Sequence, residues 1–203
     1  MTNDMTLLEV NPFARKLDGN WIALDAKILI DPSASFRHPE LEALAERQTL
    51  PQIESDAQKG NINFVQMLGN LGVVTNGAGL GLATIDMIID QGGQPANFMD
   101  IRTTATSMDI ARGVELLLQN PSVGAILLNV HGGGMTMCDT VAEGVNFAYS
   151  RNTRHLPLIA RFAGQNAEWG RQILVDRKVP VEILENLTKA IKRAVSFADG
   201  RTR

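Results

Sequence analysis

From residue 61 onward, short apolar runs alternate with segments of helical periodicity, and this alternation constrains the fold more than any other feature. The apolar runs have the length and composition of β-strands, and they cover residues 63–68, 72–75, 96–101, 123–130, 156–162 and 179–184. Between them, apolar residues recur at helical spacing, as in the series Ile110, Val114, Leu117 and Leu118. Strands that alternate with helices form βαβ units, so the sequence predicts a parallel sheet with helices on both faces.

The residues before this region have a different pattern, which indicates a β-hairpin followed by a linker. Two apolar runs, Met5 to Val10 and Trp21 to Ile30, flank the turn signal Asp18-Gly19-Asn20. Because an isolated hairpin is marginally stable in water, we expect another surface to cover it. Residues 31–60 read as a polar linker with a short charged helix at 40–47, which places a domain boundary near residue 60.

Length, charge and cysteine content exclude several classes of protein. A chain of 203 residues that is 44% hydrophobic can bury its own core, and its net charge of −3 gives no basic field for nucleic acid. No apolar run reaches the ~20 residues that a membrane span needs, and the N-terminus lacks a secretory signal pattern. The one cysteine, Cys138, excludes an internal disulfide. We therefore expect a cytoplasmic protein with no nucleic-acid or membrane partner.

The segments that follow the predicted strands carry most of the candidate ligand-binding residues. Gly77-Ala78-Gly79 begins a helix after one strand, His131 to Gly134 follow a second, and Arg102-Thr103-Thr104 follow a third. The carboxyl ends of parallel strands meet at one edge, where open α/β sheets bind their ligands. Glycine allows the backbone to approach a ligand, and N–H groups at a helix start attract anions. The pattern favours an anion site at this edge, although each turn taken alone also fits close packing of strand and helix.

Other signals are weaker and leave alternatives open. Asp100 lies about 20 residues beyond the first glycine-rich turn, so a dinucleotide-binding interpretation stays open. Asn11 and Asp25 lie on neighbouring strands of the hairpin, and their oxygens suit Mg²⁺, although such residues are also common beside turns. His38 and His155 lie in loops and are expected to face solvent. No histidine–cysteine cluster has the spacing of a metal site.

Taken together and in order, several motifs resemble the β subunits of the succinyl-CoA synthetase family. Motifs near the start resemble the end of an ATP-grasp domain: Leu8-Glu9-Val10-Asn11-Pro12, Ala23-Leu24-Asp25-Ala26-Lys27 and Phe36-Arg37-His38-Pro39-Glu40. Later motifs resemble the CoA-ligase domain, among them Thr75-Asn76-Gly77-Ala78-Gly79-Leu80, Ala96-Asn97-Phe98-Met99-Asp100, Asn129-Val130-His131-Gly132-Gly133, and Arg161 with Gly164-Gln165-Asn166. The resemblance covers about the C-terminal half of such a subunit. It implies a hairpin remnant of an ATP-grasp domain and a linker over residues 1–59. A flavodoxin-like, doubly wound parallel sheet, the CoA-ligase domain, would follow over 60–203.

The same resemblance implies an acid–thiol ligase that joins a di- or tricarboxylic acid to CoA at the expense of ATP or GTP. A histidine of a partner α subunit would carry the phosphoryl group to the acid, and CoA, bound mainly by the α subunit, would then displace phosphate from the acyl phosphate. Asn11 and Asp25 would hold Mg²⁺, and Glu9 would act beside the phosphoryl path. Because most of the ATP-grasp domain has no counterpart here, the chain alone is expected to be inactive.

By the same resemblance, Asn76, the loop Gly133-Gly134-Met135 and Arg161 would contact the acid. The helix that begins at Gly77-Ala78-Gly79 would direct its N-terminus at the phosphohistidine, together with a second helix from the α subunit. A positive helix end with free N–H donors is what a phosphate in transit requires, so the residues and the resemblance agree.

Two departures from the family pattern concern the identity of the acid. Arg102-Thr103-Thr104 stands where the family has a glycine triplet, and the Arg102 guanidinium offers a fork for a further carboxylate. The loop from Gly132 to Cys138 is longer than in succinate enzymes and is closer in length to that of ATP-citrate lyase, and His131 replaces an apolar residue. A malate- or citrate-specific relative therefore stays open, as does a non-catalytic module that only docks the α subunit.

Overall fold

The computed structural model describes residues 4–40, 51–59 and 62–200. The chain divides into two compact units, Met1–Leu50 and Pro51–Arg203, so the division falls before the predicted boundary near residue 60. The reason is that the end of the predicted linker forms helix α1 (Gln52–Lys59), whose Ala57 is buried in the core of the second unit. The predicted charged helix at 40–47 lies, beyond Glu40, outside the described residues. The assignment of residues 1–59 to an ATP-grasp remnant stays a prediction.

The first unit consists of two short antiparallel ladders rather than the single hairpin predicted. Its strands are β1 (Met5–Val10), β2 (Phe13–Arg15), β3 (Trp21–Ala23) and β4 (Ala26–Ile30); β1 pairs with β4, and β2 with β3. The predicted strand Trp21 to Ile30 is interrupted because the Asp25 carboxylate accepts a hydrogen bond from the Ala26 N–H at 2.9 Å. A 3₁₀ helix, Pro32–Arg37, follows where a loop was predicted.

Most apolar side chains of the first unit are exposed. Trp21 is 61% exposed and Leu8 58%, and the Phe13 ring stacks on Trp21 with ring centroids 5.3 Å apart. Two-stranded ladders of this size bury too little apolar surface to be stable alone. These are the faces on which we expect a covering polypeptide.

The second unit is built on a six-stranded sheet with the order β10-β9-β8-β6-β7-β5. Its strands are β5 (Asn63–Gln66), β6 (Leu71–Asn76), β7 (Asn97–Ile101), β8 (Ala125–Gly132), β9 (Leu158–Gly164) and β10 (Val181–Ile183). From β6 to β10 the strands are parallel and follow the flavodoxin-like order, which confirms the predicted fold. The first strand differs from the prediction, because β5 pairs antiparallel with β7. The residues 67–70 that join β5 to β6 are too few for the crossover that parallel strands require.

Helices cover both faces of this sheet, as predicted. They are α2 (Ala78–Asp90), α3 (Ser107–Gln119), α4 (Cys138–Arg151), α5 (Ala167–Asp176) and α6 (Leu187–Ala198). Leu127 and Leu128 are neighbours on β8, and both are buried, but they belong to different core clusters. Successive side chains of a strand point to opposite faces, so a central strand between two helical layers is apolar throughout. Among the described residues, no helix combines the length and apolarity needed to cross a membrane.

A capping box fixes where α3 begins and therefore where the segment after β7 ends. The Thr106 hydroxyl accepts a hydrogen bond from the Asp109 N–H at 3.2 Å, and the Asp109 carboxylate accepts one from the Thr106 N–H at 3.0 Å. Both orphan donors are thereby satisfied. The hydrogen bond from the Thr106 backbone, followed by that from its hydroxyl, lowers the pKa of Asp109.

Candidate functional site

The carboxyl ends of β6, β7 and β8 enclose a cleft of about 500 Å³. The parallel pairing of these strands brings together four of the predicted site residues, Asn76, Gly77, Arg102 and Gly133. The remaining lining residues are Asn63, Asp100, Ile101, Thr103, Thr104 and Thr136. The cleft lies beside the point where the strand order reverses, which is where open α/β sheets bind their ligands.

Asn76 ties the ends of β6 and β8 together. Its amide nitrogen donates to the His131 carbonyl at 2.8 Å, and its amide oxygen accepts from the His131 N–H at 2.8 Å. The pair of bonds extends the strand ladder through a side chain, a structural role that the sequence does not reveal. An asparagine amide has a second N–H and a second acceptor site, so this role leaves it capacity for a ligand.

At two positions near the cleft, neither the backbone conformation nor a close contact within the described chain requires glycine. Gly77 needs to be glycine because its φ is +88°. Gly79, in the first turn of α2, and Gly133, after β8, lack a positive φ, and a Cβ built on either would meet nothing within 4 Å. Glycine in a helix costs about 0.5–1 kcal/mol relative to alanine, so contacts within the described chain do not explain why residue 79 is glycine.

The predicted acid-binding loop is a tight turn. The Gly133 N–H donates to the Thr136 carbonyl at 3.0 Å, and the Thr136 N–H donates back to the Gly133 carbonyl at 3.2 Å. Gly134 supplies the positive φ, +59°, that the turn requires. Met135 is 70% exposed at the tip, and neither it nor Gly134 belongs to the cleft lining. Of the three predicted loop residues, the cleft therefore includes Gly133.

A side-chain network that sequence reasoning missed crosses the floor of the cleft. The Arg102 Nε–H donates to the Asn63 amide oxygen at 2.8 Å, and the Asn63 amide nitrogen donates to Asp100 Oδ2 at 3.4 Å. The other carboxylate oxygen of Asp100 accepts the Gly77 N–H at 2.5 Å. Both carboxylate oxygens of Asp100 therefore accept hydrogen bonds from within the chain. Asp100 is the residue on which the dinucleotide-binding interpretation depended. Asn63 could not be found from the sequence because its place opposite Asp100 depends on the antiparallel register of β5.

Arg161 lies on β9, outside the lining of the cleft. Its Nη1 donates to the amide oxygen of Asn129 at 3.3 Å, and the fully buried Asn129 donates to the Thr84 hydroxyl at 2.8 Å. The Arg161 Nε is buried and meets no hydrogen-bond partner among the described residues. Contact between Arg161 and an acid stays a prediction.

The predicted magnesium ligands are neighbours at one end of the β1–β4 ladder. The Asn11 N–H donates to the Asp25 carbonyl at 3.3 Å, and both residues are exposed. Glu9 pairs with Lys27 on the same ladder. An amide and a carboxylate oxygen fit Mg²⁺, which takes few protein ligands and completes its shell with water and phosphates. Among the described residues, no group of three or more acidic, histidine or cysteine side chains is arranged so that it could hold a metal ion.

The predictions for the isolated histidines and the cysteine have mixed outcomes. His38 does not face solvent: its side chain is 14% exposed, and its Nε2 lies 2.9 Å from the Asp4 carboxylate. This hydrogen bond raises the pKa of His38 and lowers the pKa of Asp4. His155 lies with Nε2 3.0 Å from the Tyr149 carbonyl. Cys138 is buried at the start of α4, and burial raises the pKa of its thiol.

Comparisons of the sequence with known proteins agree on one family. A model of the CoA-ligase family matches residues 74–195. The β subunit of ADP-forming succinate–CoA ligase from Actinobacillus pleuropneumoniae is 40% identical over 198 residues, which is 98% of this chain and 51% of that protein. The corresponding subunit from Chloroflexus aurantiacus is 41% identical over 198 residues, covering 97% of this chain and 51% of that protein. The chain spans about half the length of the curated relatives it matches.

Solved structures share the fold at low sequence identity. An ATP citrate lyase from Methanosaeta concilii aligns with a TM-score of 0.69 and 17% identity over 95% of this chain and 56% of that chain. An ATP citrate lyase from Methanothrix soehngenii aligns with a TM-score of 0.71 and 16% identity over 96% of this chain and 58% of that chain.

Proposed function

Because this chain belongs to the CoA-ligase family, we propose that it is the β-type part of a nucleotide-dependent acid–CoA ligase. The reaction would form an acyl-CoA thioester from a di- or tricarboxylic acid through an acyl phosphate. The observation that carries the proposal is the cleft at the carboxyl edge of the sheet. Its lining combines a helix start at Gly77, the side chain of Arg102, and Gly133, a glycine that the fold itself does not require.

In this proposal the chain supplies binding and electrostatic stabilisation rather than a covalent group. A histidine of an α subunit brings the phosphoryl group, whose transfer to a carboxylate oxygen of the acid forms the acyl phosphate. The sulfur of CoA then attacks the acyl carbon and expels phosphate. The N-terminal end of α2 faces the phosphoryl group with the positive end of its dipole. Gly79 and Gly133 leave room for the partner and the acid to approach the backbone.

Selection of the acid falls to the polar lining of the cleft. The second N–H of the Asn76 amide donates to the reacting carboxylate, and Arg102 binds a further carboxylate of the acid. Because the Asn76 amide is neutral, it can hold the reacting carboxylate in place without neutralising its negative charge. The carboxylate needs that charge to attack the phosphoryl group. Two binding points separated across the cleft require an acid with more than one carboxylate.

In this proposal the nucleotide binds to the first unit together with polypeptide that corresponds to the other half of the curated relatives. Asn11 and Asp25 would hold Mg²⁺, which supplies positive charge beside the nucleotide phosphates when bound, and Glu9 would stand beside the phosphoryl path. ATP or GTP is expected, with CoA bound mainly by the α subunit and the assembly in the cytoplasm. The exposed faces of the first unit and the half-length match fit a chain that needs further polypeptide for this step.

A second candidate is a non-catalytic module that docks an α subunit but transfers nothing. The exposed apolar side chains of the first unit favour it, because such surfaces mark sites where another polypeptide binds. The two candidates differ in the step that follows phosphorylation of the α subunit, because that step uses the cleft and no nucleotide.

A half-reaction separates these candidates. The cognate α subunit, labelled with phosphate on its histidine, is mixed with the chain, CoA and in turn succinate, malate or citrate. We expect loss of label with an acid that has at least two carboxylates. Gln91→Ala, at the far end of α2, serves as the control variant, because Gln91 is exposed and does not line the cleft. Co-elution of the two chains without loss of label for any acid would establish the docking module instead.

A further inference from the structure

The side of α2 that faces away from the sheet exposes large apolar residues. Four residues on the opposite side of the helix are buried: Gly81, Thr84, Ile85 and Ile88. On the exposed side, Leu82 is 59% exposed and Ile89 is 54% exposed. The exposed residues recur at the spacing of a single helical stripe. This stripe, the outer face of α2, consists of Gly79, Leu82, Ala83, Asp86, Ile89 and Asp90.

The two acidic residues of the outer face lie where the helix itself disfavours them. Asp90 is the last residue of α2, and Asp86 lies one turn before it. Carboxylates near the C-terminus of a helix oppose its dipole, and two carboxylates four residues apart repel each other. α2 contains no Lys, Arg or His, and within the described ranges of the chain neither carboxylate belongs to an ion pair. Both negative charges therefore lack a compensating cation there.

The N-terminal half of the outer face carries its two smallest residues. Gly79 and Ala83 are one turn apart, and both are exposed. A Cβ built on Gly79 would meet nothing within 4 Å, so glycine lowers the helix propensity without relieving a clash. Small residues one turn apart allow the axis of a second helix to come close. A helical glycine, exposed apolar residues and uncompensated acids thus share one face, and such departures from local preference mark functional surfaces.

We infer that the outer face of α2 is the docking surface for a helix of the α subunit, and that this helix presents Lys or Arg side chains to Asp86 and Asp90. This inference rests on the proposed function, since it identifies where the partner of that proposal binds. The N-terminus of α2 faces the phosphohistidine in that proposal, and the outer face continues this contact along the same helix. A second copy of this chain does not fit, because two such faces bring four acids together and no cation.

Reversal of the two charges on the full chain tests the inference. The affinity of the cognate α subunit for the chain is measured by titration calorimetry at low and at high salt. Asp86→Lys combined with Asp90→Lys should weaken the affinity about tenfold or more at low salt and should flatten its salt dependence. Asp176→Lys is the matched control, because Asp176 is the exposed last residue of α5. This control should bind the α subunit as the unaltered chain does.

The stability of the same variants separates docking from folding. Without the α subunit, the charge-reversed chain should be at least as resistant to urea as the unaltered chain, because lysine near a helix C-terminus complements the dipole. Leu82→Ser combined with Ile89→Ser should also weaken the affinity about tenfold or more, because it removes apolar area from the contact. Unchanged affinity in either pair of variants would overturn the inference.

A photochemical label identifies what lies against the outer face. Asp86→Cys places a thiol there, whereas the native Cys138 is buried and therefore inert. A benzophenone attached to that thiol should label a helix of the α subunit that carries Lys or Arg, and the same group on Asp176→Cys should not. Absence of label on the α subunit, label on a segment without basic residues, or equal labelling from the control would overturn the inference.

The half-reaction separates failure of this inference from failure of the proposed function. With the charge-reversed chain, loss of label should need a higher concentration of the chain but should reach the same maximal rate. Normal loss of label at every concentration would overturn the inference and leave the proposed function standing. Binding that depends on the outer face, without loss of label for any acid, would support the inference and refute the proposed reaction.

Discussion

At the scale of single residues, the glycines of the second unit separate into those that the fold needs and those that it does not. Gly144 belongs to the first group, because an added Cβ would lie 2.7 Å from the Ser107 carbonyl oxygen and 2.7 Å from Ile110 Cβ. Gly79 belongs to the second group. Whether an added Cβ would clash therefore predicts how an alanine substitution at each position changes the free energy of unfolding.

Alanine at these two positions should therefore have opposite effects. Gly79→Ala should raise the free energy of unfolding by about 0.5–1 kcal/mol, because it removes helical glycine without a clash. Gly144→Ala should lower it by about 1–3 kcal/mol through overpacking between α3 and α4. Urea unfolding of both variants checks this.

If another molecule approaches Gly79, the stabilised variant should also lose label more slowly in the half-reaction; an unchanged rate would remove Gly79 from the proposed site.

The choice of acid should depend on Arg102. Arg102→Gly removes the guanidinium that lines the cleft and restores the residue type of the family pattern at this position. We expect the ranking of acids in the half-reaction to change, with the largest loss for the acid that the unaltered chain prefers. Gly133→Val should instead slow the reaction with every acid, because it blocks the approach to the cleft. An unchanged ranking in Arg102→Gly would place Arg102 outside the recognition of the acid.

The contact between Asp4 and His38 should make the stability of the first unit depend on pH from both sides. Because its hydrogen bond to Asp4 raises the pKa of His38, that contribution is complete below the unfolded pKa of histidine and is lost as pH rises through the folded pKa. The lowered pKa of Asp4 works in the other direction: its contribution is present above the unfolded pKa and is lost as pH falls through the folded pKa.

An NMR titration of His38 checks this account. Its midpoint should lie above the ordinary value of 6.5, and Asp4→Asn should return it toward that value. A midpoint at or below the ordinary value in the unaltered chain would show that the hydrogen bond to Asp4 does not hold the proton on His38.

At the scale of elements, periodicity in the sequence was enough for the helices and for the parallel strands, but not for pairing that depends on distant residues. Leu127 and Leu128 make β8 apolar on both faces, so its central place follows from composition. The direction of β5 depends on a partner strand that comes later in the chain, and local pattern carries no such information. The same limit hid Asn63, whereas the predicted site residues Asn76 and Arg102 lie at the end of a strand or directly after one, where local pattern is informative.

The start of α3 offers a test at this scale, since the capping box there involves a titrating group. Thr106→Ala should cost about 1 kcal/mol of stability near neutral pH, because the Asp109 N–H loses its acceptor and the Asp109 carboxylate loses the hydroxyl donor. The pKa of Asp109 is lowered from 3.8 mainly by the hydrogen bond from the Thr106 backbone. Its contribution is therefore present above that unfolded value and is lost as pH falls through the folded pKa. Urea unfolding near pH 7 and near pH 3 should show a smaller difference between variant and unaltered chain in acid. An equal difference at both pH values would exclude the Asp109 carboxylate as the source.

At the scale of the whole molecule, the two units differ in how much apolar surface their described residues bury. Both buried core clusters and every residue of the cleft lining lie within residues 51–203. Among the described residues of the first unit, most apolar side chains are exposed. The motif order predicts that further polypeptide covers them, and this stays a prediction. The boundary between the two units could not be predicted from the sequence, because it depends on the burial of Ala57 in the second unit, which is a tertiary contact.

Removal of the first unit should therefore leave the cleft intact. A chain of residues 51–203 should unfold cooperatively, because a domain of this size buries enough apolar surface to be stable on its own. It should still discharge a phosphorylated α subunit with the acid that the full chain uses, since that step uses no nucleotide. It should not support phosphorylation of the α subunit by ATP or GTP. Failure of a folded 51–203 chain to discharge the α subunit with that acid would show that the first unit completes the site, and would refute the assignment of acid recognition to the sheet edge alone.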